Sequence, residues 1–261
     1  MQLAPLQIAI IDMYDGSPNI GMRCIHTIVN KWSKDKQFAM ELTTFRLRDQ
    51  GEIPNDHFDI YISTGGPGSP IDTVMEDWDI TYTNWLEKMI QLQKPVFLIC
   101  HSFQIACRHF ELGTVGLRKS MQIGILPVHP LTEDSLFNQL QDPFYALESR
   151  YYQITAPNDE KIKQMGAKII ALEKIRPQVP LERAIMAVQF SEKMYGVQFH
   201  PEADPAELFE YFNEASTKQI VVDAFGIEKW EQIMNHLLDP NTIDTTFSNF
   251  IPNFLDKAIA G

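Results

Sequence analysis

The sequence predicts an α/β fold: an open, mostly parallel but mixed sheet with helices on both faces. Three observations carry this. Up to about residue 110, short apolar runs of strand length alternate with segments of helical spacing, which implies a sheet covered on both sides. Several of these runs end abruptly in glycine-rich or small polar segments, where ligands meet the carboxyl ends of such sheets. Further along, the runs follow one another in hairpin fashion, which makes the sheet mixed.

Residues 8–12 read as a buried strand, and residues 21–32 carry helical spacing through Met22, Ile25, Ile28, Val29 and Trp32. Short strands follow at 41–45 and 59–63. Residues 78–92 read as a helix with Trp78, Tyr82, Trp85, Met89 and Leu92 on one face, a stripe suited to core packing. A strand at 96–100 leads into a helix reaching about residue 110. Later strands are expected at 121–128, 144–148, 151–155, 168–172, 184–189 and 195–198, then a helix at 204–215. Residues 221–238 have helical spacing through Phe225, Trp230, Ile233 and Leu237, broken near Gly226. A turn at Asp239-Pro240-Asn241 precedes a last helix at 242–260, which Pro252 is expected to interrupt. The expected organisation is a main domain over 1–216 and a helical extension over 217–261. The extension's aromatics, Phe247, Phe250 and Phe254, need cover, from the parent domain, a partner chain or a second protomer.

At 261 residues and 44% hydrophobic content the chain can bury a full α/β core. A net charge of -12 disfavours nucleic-acid binding, which wants a basic patch. The three cysteines, Cys24, Cys100 and Cys107, are too few and too scattered for disulfides or zinc, and they suit a reducing cytoplasm. The seven histidines show no ligand spacing, so neither a metal nor another cofactor is expected. No apolar run approaches membrane-spanning length, and no basic segment followed by an apolar core opens the sequence, so no membrane association is expected.

Three segments carry chemistry. Pro95-Val96-Phe97-Leu98-Ile99-Cys100 is an apolar run that ends at a cysteine, followed by His101, Ser102, Phe103 and Gln104 at the start of a helical pattern. A strand-to-helix turn of this kind lifts a nucleophile off the sheet, and the first amides of the helix favour a thiolate there. Taken alone, Cys100 reads as a buried core residue. Tyr61-Ile62-Ser63-Thr64 runs into Gly65-Gly66-Pro67-Gly68-Ser69-Pro70, a loop that can bring backbone N–H groups against a ligand. Tyr195-Gly196-Val197-Gln198-Phe199-His200-Pro201-Glu202 delivers a histidine and, two residues on, a carboxylate. On extended backbone both would point the same way. Glu202 could then orient His200, and His200 could take the Cys100 proton.

These segments, in this order, resemble the class I glutamine amidotransferases, a flavodoxin-like family, over residues 8–215. Weaker likenesses lie at Ile10-Ile11-Asp12-Met13-Tyr14-Asp15 and at Ser149-Arg150-Tyr151-Tyr152-Gln153. The resemblance implies that Cys100 attacks the side-chain amide of glutamine, that His200 is base and then acid, and that Glu202 orients it. It implies an oxyanion hole from the backbone N–H groups of Gly66 and His101. Gln104, with backbone at Tyr152 and Gln153, would bind the substrate. The family pattern is Gly-x-Cys-x-Gly-x-Gln, so Leu98 and Ser102 depart from it. Leu98 puts a branched side chain where the family has none. The Cys100-His101 pair also resembles the PfpI-type proteases and chaperones, in which the adjacent histidine can serve the cysteine; here the base role is assigned to His200.

No Ser-Gly-Gly-x-Asp-Ser or Gly-x-x-x-x-Gly-Lys loop is present, so the ammonia acceptor is expected to be a separate synthetase, with the amidotransferase part of GMP synthase the named likeness. The alternatives are an independent γ-glutamyl amide hydrolase and a catalytically weak binding or regulatory protein, the reading that Leu98 favours.

Overall fold

In a computed structural model, residues 4–178 and 181–260 are described. The elements are β1 (Leu6–Asp12), α1 (Ile20–Lys36), β2 (Met40–Arg46), α2 (Leu47–Gln50), β3 (Ile60–Ser63), α3 (Asp77–Gln91), β4 (Val96–Ile99) and α4 (His101–His109). Next come β5 (Thr114–Pro130), β6 (Phe144–Thr155), α5 (Asp159–Met165), β7 (Lys168–Glu173), β8 (Ile185–Gln189) and β9 (Met194–Val197). The chain continues through α6 (Pro205–Asn213), α7 (Ala215–Phe225), α8 (Ile227–Leu238) and α9 (Ile243–Ile259). The nine strands form one sheet in the order β2-β1-β3-β4-β9-β8-β7-β5-β6. Pairings from β2 across to β9 are parallel, and those from β9 across to β6 are antiparallel. The sheet is mixed, with its parallel part confined to the βα-alternating half.

Strand alternation sorts the core into two layers. Ile8, Ile10, Ile62, Phe97 and Ile99 face one side and pack on Ile25, Val29 and Trp32 of α1 and on Phe250 and Phe254 of α9. Ala9, Ile11, Tyr61 and Leu98 face the other and meet Tyr82, Trp85 and Met89 of α3 and Phe103 of α4. A third cluster joins Ile125 of β5 to Leu208, Phe212, Val221, Ile233 and Leu237 of α6 to α8. No helix among the described residues is long and apolar enough to cross a membrane.

Several expectations need correction. The expected strands at 144–148 and 151–155 are one strand, β6, and β5 reaches well beyond 121–128. Their hairpin pairing runs from Thr114↔Thr155 to Val128↔Phe144, with a register shift between Leu117 and Gln122 that takes in the polar stretch of β5. Pro252 lies inside α9 without breaking it. An interior proline costs about 3 kcal/mol, but Phe250, Ile251, Phe254 and Leu255 are fully buried around it, each contributing roughly 1.5–3 kcal/mol. Burial therefore outweighs the lost hydrogen bond. The α3 stripe is real at Tyr82, Trp85 and Met89, but Leu92 lies past the helix end and is 45% exposed. The short helices α2 and α5 were not anticipated. Each ends at a glycine with positive φ, Gly51 (68°) and Gly166 (72°), and Asn158 caps the start of α5.

Candidate active site

β3, β4 and β9 are neighbours in the sheet. The glycine loop follows β3, Cys100 follows β4, and His200 lies just beyond β9. Adjacent parallel strands thus bring the three sequence motifs to one edge.

Cys100 sits between β4 and α4 with φ 49° and ψ -96°, a strained conformation for a residue with a Cβ. Two hydrogen bonds hold it: Cys100 N–H to Val197 O at 2.7 Å, and Gln104 N–H to Cys100 O at 2.9 Å. Ser102 adds a third tie. Its Oγ accepts from Ile99 N–H at 3.0 Å and lies 2.9 Å from the carbonyls of both Ser63 and Thr64. Where the resemblance leads one to expect glycine, a buried hydroxyl fastens the turn to β3.

Leu98 is accommodated by its neighbours. It is fully buried and pairs with Gly196 on β9. A Cβ added at Gly196 would lie 3.3 Å from the Leu98 Cβ and closer still to the Phe103 and Phe190 rings. The adjacent strand supplies the missing room, and the turn at Cys100 keeps its sharp form. Leu98→Gly is therefore expected to lose roughly 2–5 kcal/mol of stability through the cavity it leaves, with no gain in glutamine turnover. Paired thermal unfolding and turnover measurements check this; a stable variant with much faster turnover would show that the native turn is held back by Leu98.

His200 Nδ1 lies 2.8 Å from Glu202 Oε1, which leaves Nε2 uncommitted to the carboxylate, and the His200 ring and the Cys100 Cβ both lie against Gly65. The pairing arises differently from the expected strand alternation. β9 ends at Val197, and Pro201 and Glu202 form a turn that folds the carboxylate back, while His200 N–H is pinned to Leu147 O at 2.9 Å. Burial opposes protonation of His200, but the charges of Glu202 and Cys100 more than offset it and raise its pKa well above the usual value. Glu202 is buried, and its Oε2 has no partner among the described residues.

His101 behaves oppositely. It lines the same cleft but is only 1% exposed, and its Nε2 is unpartnered among the described residues. Burial, with help from Arg48 and Arg108, lowers its pKa to about 3. Such a ring is uncharged at neutral pH and a poor base. Its depressed pKa also sets a stability window. Below about pH 6.5 an unfolded His101 takes up a proton that the folded one refuses, so stability falls as pH drops from there towards about 3. His101→Gln should flatten this acid limb of a denaturation-versus-pH series.

The glycines clear space. A Cβ at Gly66 would collide with the Met13 carbonyl, and one at Gly65 would come within 3.0 Å of His200 Cε1. Gly21 leaves room for the Tyr14 hydroxyl, which lies between it and Gly65. Burial, then Glu202 and Cys100, raise the Tyr14 pKa well above its usual value, so the phenol stays protonated. α4 starts at His101, whose N–H is one of the first-turn amides that no helix carbonyl receives.

The cleft measures about 640 Å³. Its walls include Tyr14, Gly66, Cys100, His101, Gln104, Tyr152, His200 and Glu202, with Met121, Leu147, Tyr151, Leu208 and Tyr211 extending an apolar side. Gln104 Nε2 donates to Gln198 Oε1 at 3.1 Å and reaches Tyr152 O at 3.4 Å. Gln153 is not among the lining residues, and its side chain is bound by Arg118. Sequence reasoning missed Tyr14 and Gln198 as site residues. Gln198 Nε2 lies 3.7 Å from Cys100 Sγ. Its signal was a polar residue in a buried run, which demands a partner.

The model of the class I glutamine amidotransferase family matches residues 21–214. The chain belongs to that family. Among solved structures, a Thermotoga maritima glutamine amidotransferase has a TM-score of 0.71 at 12% identity, over 99% of this chain and all of that one. The glutaminase domain of Trypanosoma brucei CTPS, with bound acivicin, gives 0.60 at 13% identity, over 96% of this chain and 94% of that one. A putative GMP synthase subunit from Thermoplasma acidophilum gives 0.54 at 15%, over 77% and 87%. These likenesses concern the fold. A comparison with curated proteins finds no match.

Proposed function

We propose that this chain is a glutaminase that releases ammonia from glutamine for a separate synthetase. The observation that carries this reading is the meeting of Cys100, His200 and Glu202 in one cleft, with His200 hydrogen-bonded to Glu202 and the side chains of His200 and Cys100 both against Gly65. The Cys100 sulfur attacks the side-chain amide carbon, and the carbonyl oxygen takes the negative charge. The N–H groups of Gly66 and His101 receive that oxyanion. The carbon–nitrogen bond then breaks as His200 gives its proton to the leaving nitrogen, freeing ammonia and leaving a γ-glutamyl thioester. Water, giving a proton to His200, attacks the thioester; the carbon–sulfur bond breaks, and glutamate and the thiol are restored. Glu202 holds the ring and stabilises its charged form. Gln104 and backbone at Tyr152 seat the amino-acid end, Gln104 through the carbonyl oxygen that its protein contacts leave free. The fold likeness to a putative GMP synthase subunit makes a GMP synthase-type partner the first acceptor to test.

The size of the cleft supports a second reading. At about 640 Å³ it falls within the roughly 300–1,000 Å³ of sites for drug-sized ligands, and Met121, Leu147, Leu208 and Tyr211 offer an apolar wall. A γ-glutamyl amide of a larger amine would use that wall. Steady-state kinetics with glutamine and a series of γ-glutamyl amides separate the readings. The highest kcat/KM for glutamine supports the glutaminase; a preference for bulkier amides supports the hydrolase. Turnover of neither leaves the binding or regulatory role.

A further inference from the structure

A chain of buried amides reaches the Cys100 sulfur. Gln198 is 0% exposed, immediately after β9, and its backbone N–H is fixed to Met186 O at 2.8 Å. Its Nε2 lies 3.7 Å from the Cys100 sulfur, and its Oε1 accepts from Gln104 Nε2 at 3.1 Å. The same Gln104 nitrogen faces the Tyr152 carbonyl at 3.4 Å.

That carbonyl fixes the direction of every amide in the chain. A carbonyl can only accept, so Gln104 must turn its nitrogen towards it and towards Gln198. Gln198 must answer with its oxygen, which leaves its nitrogen against the sulfur. Flipping either amide would set like groups face to face. The Tyr152 carbonyl is itself held by Arg150 Nη1 at 3.2 Å, and Arg150 is clamped by Glu148 at 2.8 Å and Glu173 at 3.3 Å. All three charged residues are buried. A rigid ionic cluster thus ends, through two amides, in a single N–H aimed at the reacting atom.

We propose that Gln198 is a catalytic residue whose side-chain N–H holds the Cys100 thiolate in place for attack, and that Gln104 is the positioning residue that aims it. The proposal rests on Cys100 being the nucleophile, as read above. A thiol sulfur is a weak acceptor, whereas hydrogen bonds to a charged acceptor are roughly twice as strong as those between neutral groups. The Gln198 donor therefore favours the thiolate over the thiol. Once sulfur is bonded to carbon it loses that charge, and the hold slackens. The effect falls on formation and placement of the thiolate more than on the steps that follow.

The test is alkylation of the full-length protein by iodoacetamide across a pH series, with the modified cysteine identified by peptide mass. It needs no glutamine, so it is independent of the amide chemistry. Gln198→Met keeps the length of the side chain and removes the donor. It should move the pH of half-maximal Cys100 alkylation up by roughly one unit. Gln104→Met should move it the same way by less, and the double variant no further than Gln198→Met alone. A purely structural role would lower the melting temperature and leave the pH profile in place. An unshifted profile in Gln198→Met, with Cys100 still reactive, overturns the proposal. Additive shifts overturn the role of Gln104 as the residue that aims Gln198. Should Gln198→Met fail to fold, Gln104→Met decides, and no shift there overturns the proposal. A Cys100 that resists alkylation at every pH in the parent removes the nucleophile, and this proposal with it.

Discussion

Cys100→Ala is expected to abolish glutamine hydrolysis, with a loss of roughly 10⁴-fold or more, while the protein stays folded. The size follows from the unit in which Cys100 is proposed to act. Without the sulfur no thioester can form, and His200 and Glu202 have nothing to activate; losses within such a unit are large. Stability should change little. Alanine keeps the Cβ that the turn at φ 49° already accommodates, and it removes a single atom from a site that is 7% exposed. Ammonia release and thermal unfolding, measured on the same preparation, check both halves. Retained turnover would move the nucleophile elsewhere.

His200→Ala should lower kcat/KM by roughly a thousandfold or more, several kcal/mol of transition-state stabilisation. His101→Ala should do far less, because its proposed contact with the oxyanion is made by backbone and its ring is too weak a base to replace His200. Glu202→Gln should fall between them: it keeps the shape but loses the charge that favours imidazolium. Alanine at 200 leaves Glu202 buried without its partner, and an unpaired buried carboxylate is destabilising. Unfolding is therefore followed in parallel, and His200→Asn, which retains a donor, separates loss of the base from loss of the fold. A larger effect at His101 than at His200 would favour the protease-like arrangement.

The parallel half of the sheet was legible in the sequence because its strands are buried on both faces. Runs such as Ile8-Ala9-Ile10-Ile11 and Val96-Phe97-Leu98-Ile99 are apolar on both sides, and the helices between them show a clear stripe. The β5–β6 hairpin was harder to read. Its middle, through Arg118, Lys119, Ser120 and Gln122, is polar and partly exposed, and the ladder partner that completes each strand lies far along the chain. Pro252 misled because a local rule met tertiary burial that outweighs it. At the site, motif order pointed to Cys100, His200 and Glu202, yet the geometry joining the last two is a turn rather than a strand. Gln198 was hidden because glutamine usually reads as a surface residue. Only the fold buries it with its amide nitrogen near a sulfur and its amide oxygen on Gln104. The accommodation of Leu98 was equally invisible, since it depends on Gly196 lying opposite in a neighbouring strand.

The central claim is that Cys100 is the nucleophile that meets the side-chain amide of glutamine. Exposure of the native protein to a diazo-ketone analogue of glutamine, followed by peptide mass mapping, tests it most directly. All three cysteines are buried and unpaired by disulfides, so burial alone does not choose among them; recognition of the amino acid and activation of the sulfur must. The account predicts stoichiometric labelling of Cys100, protection by glutamine, and no label on Cys24 or Cys107. Labelling of Cys107 with Cys100 untouched would contradict it.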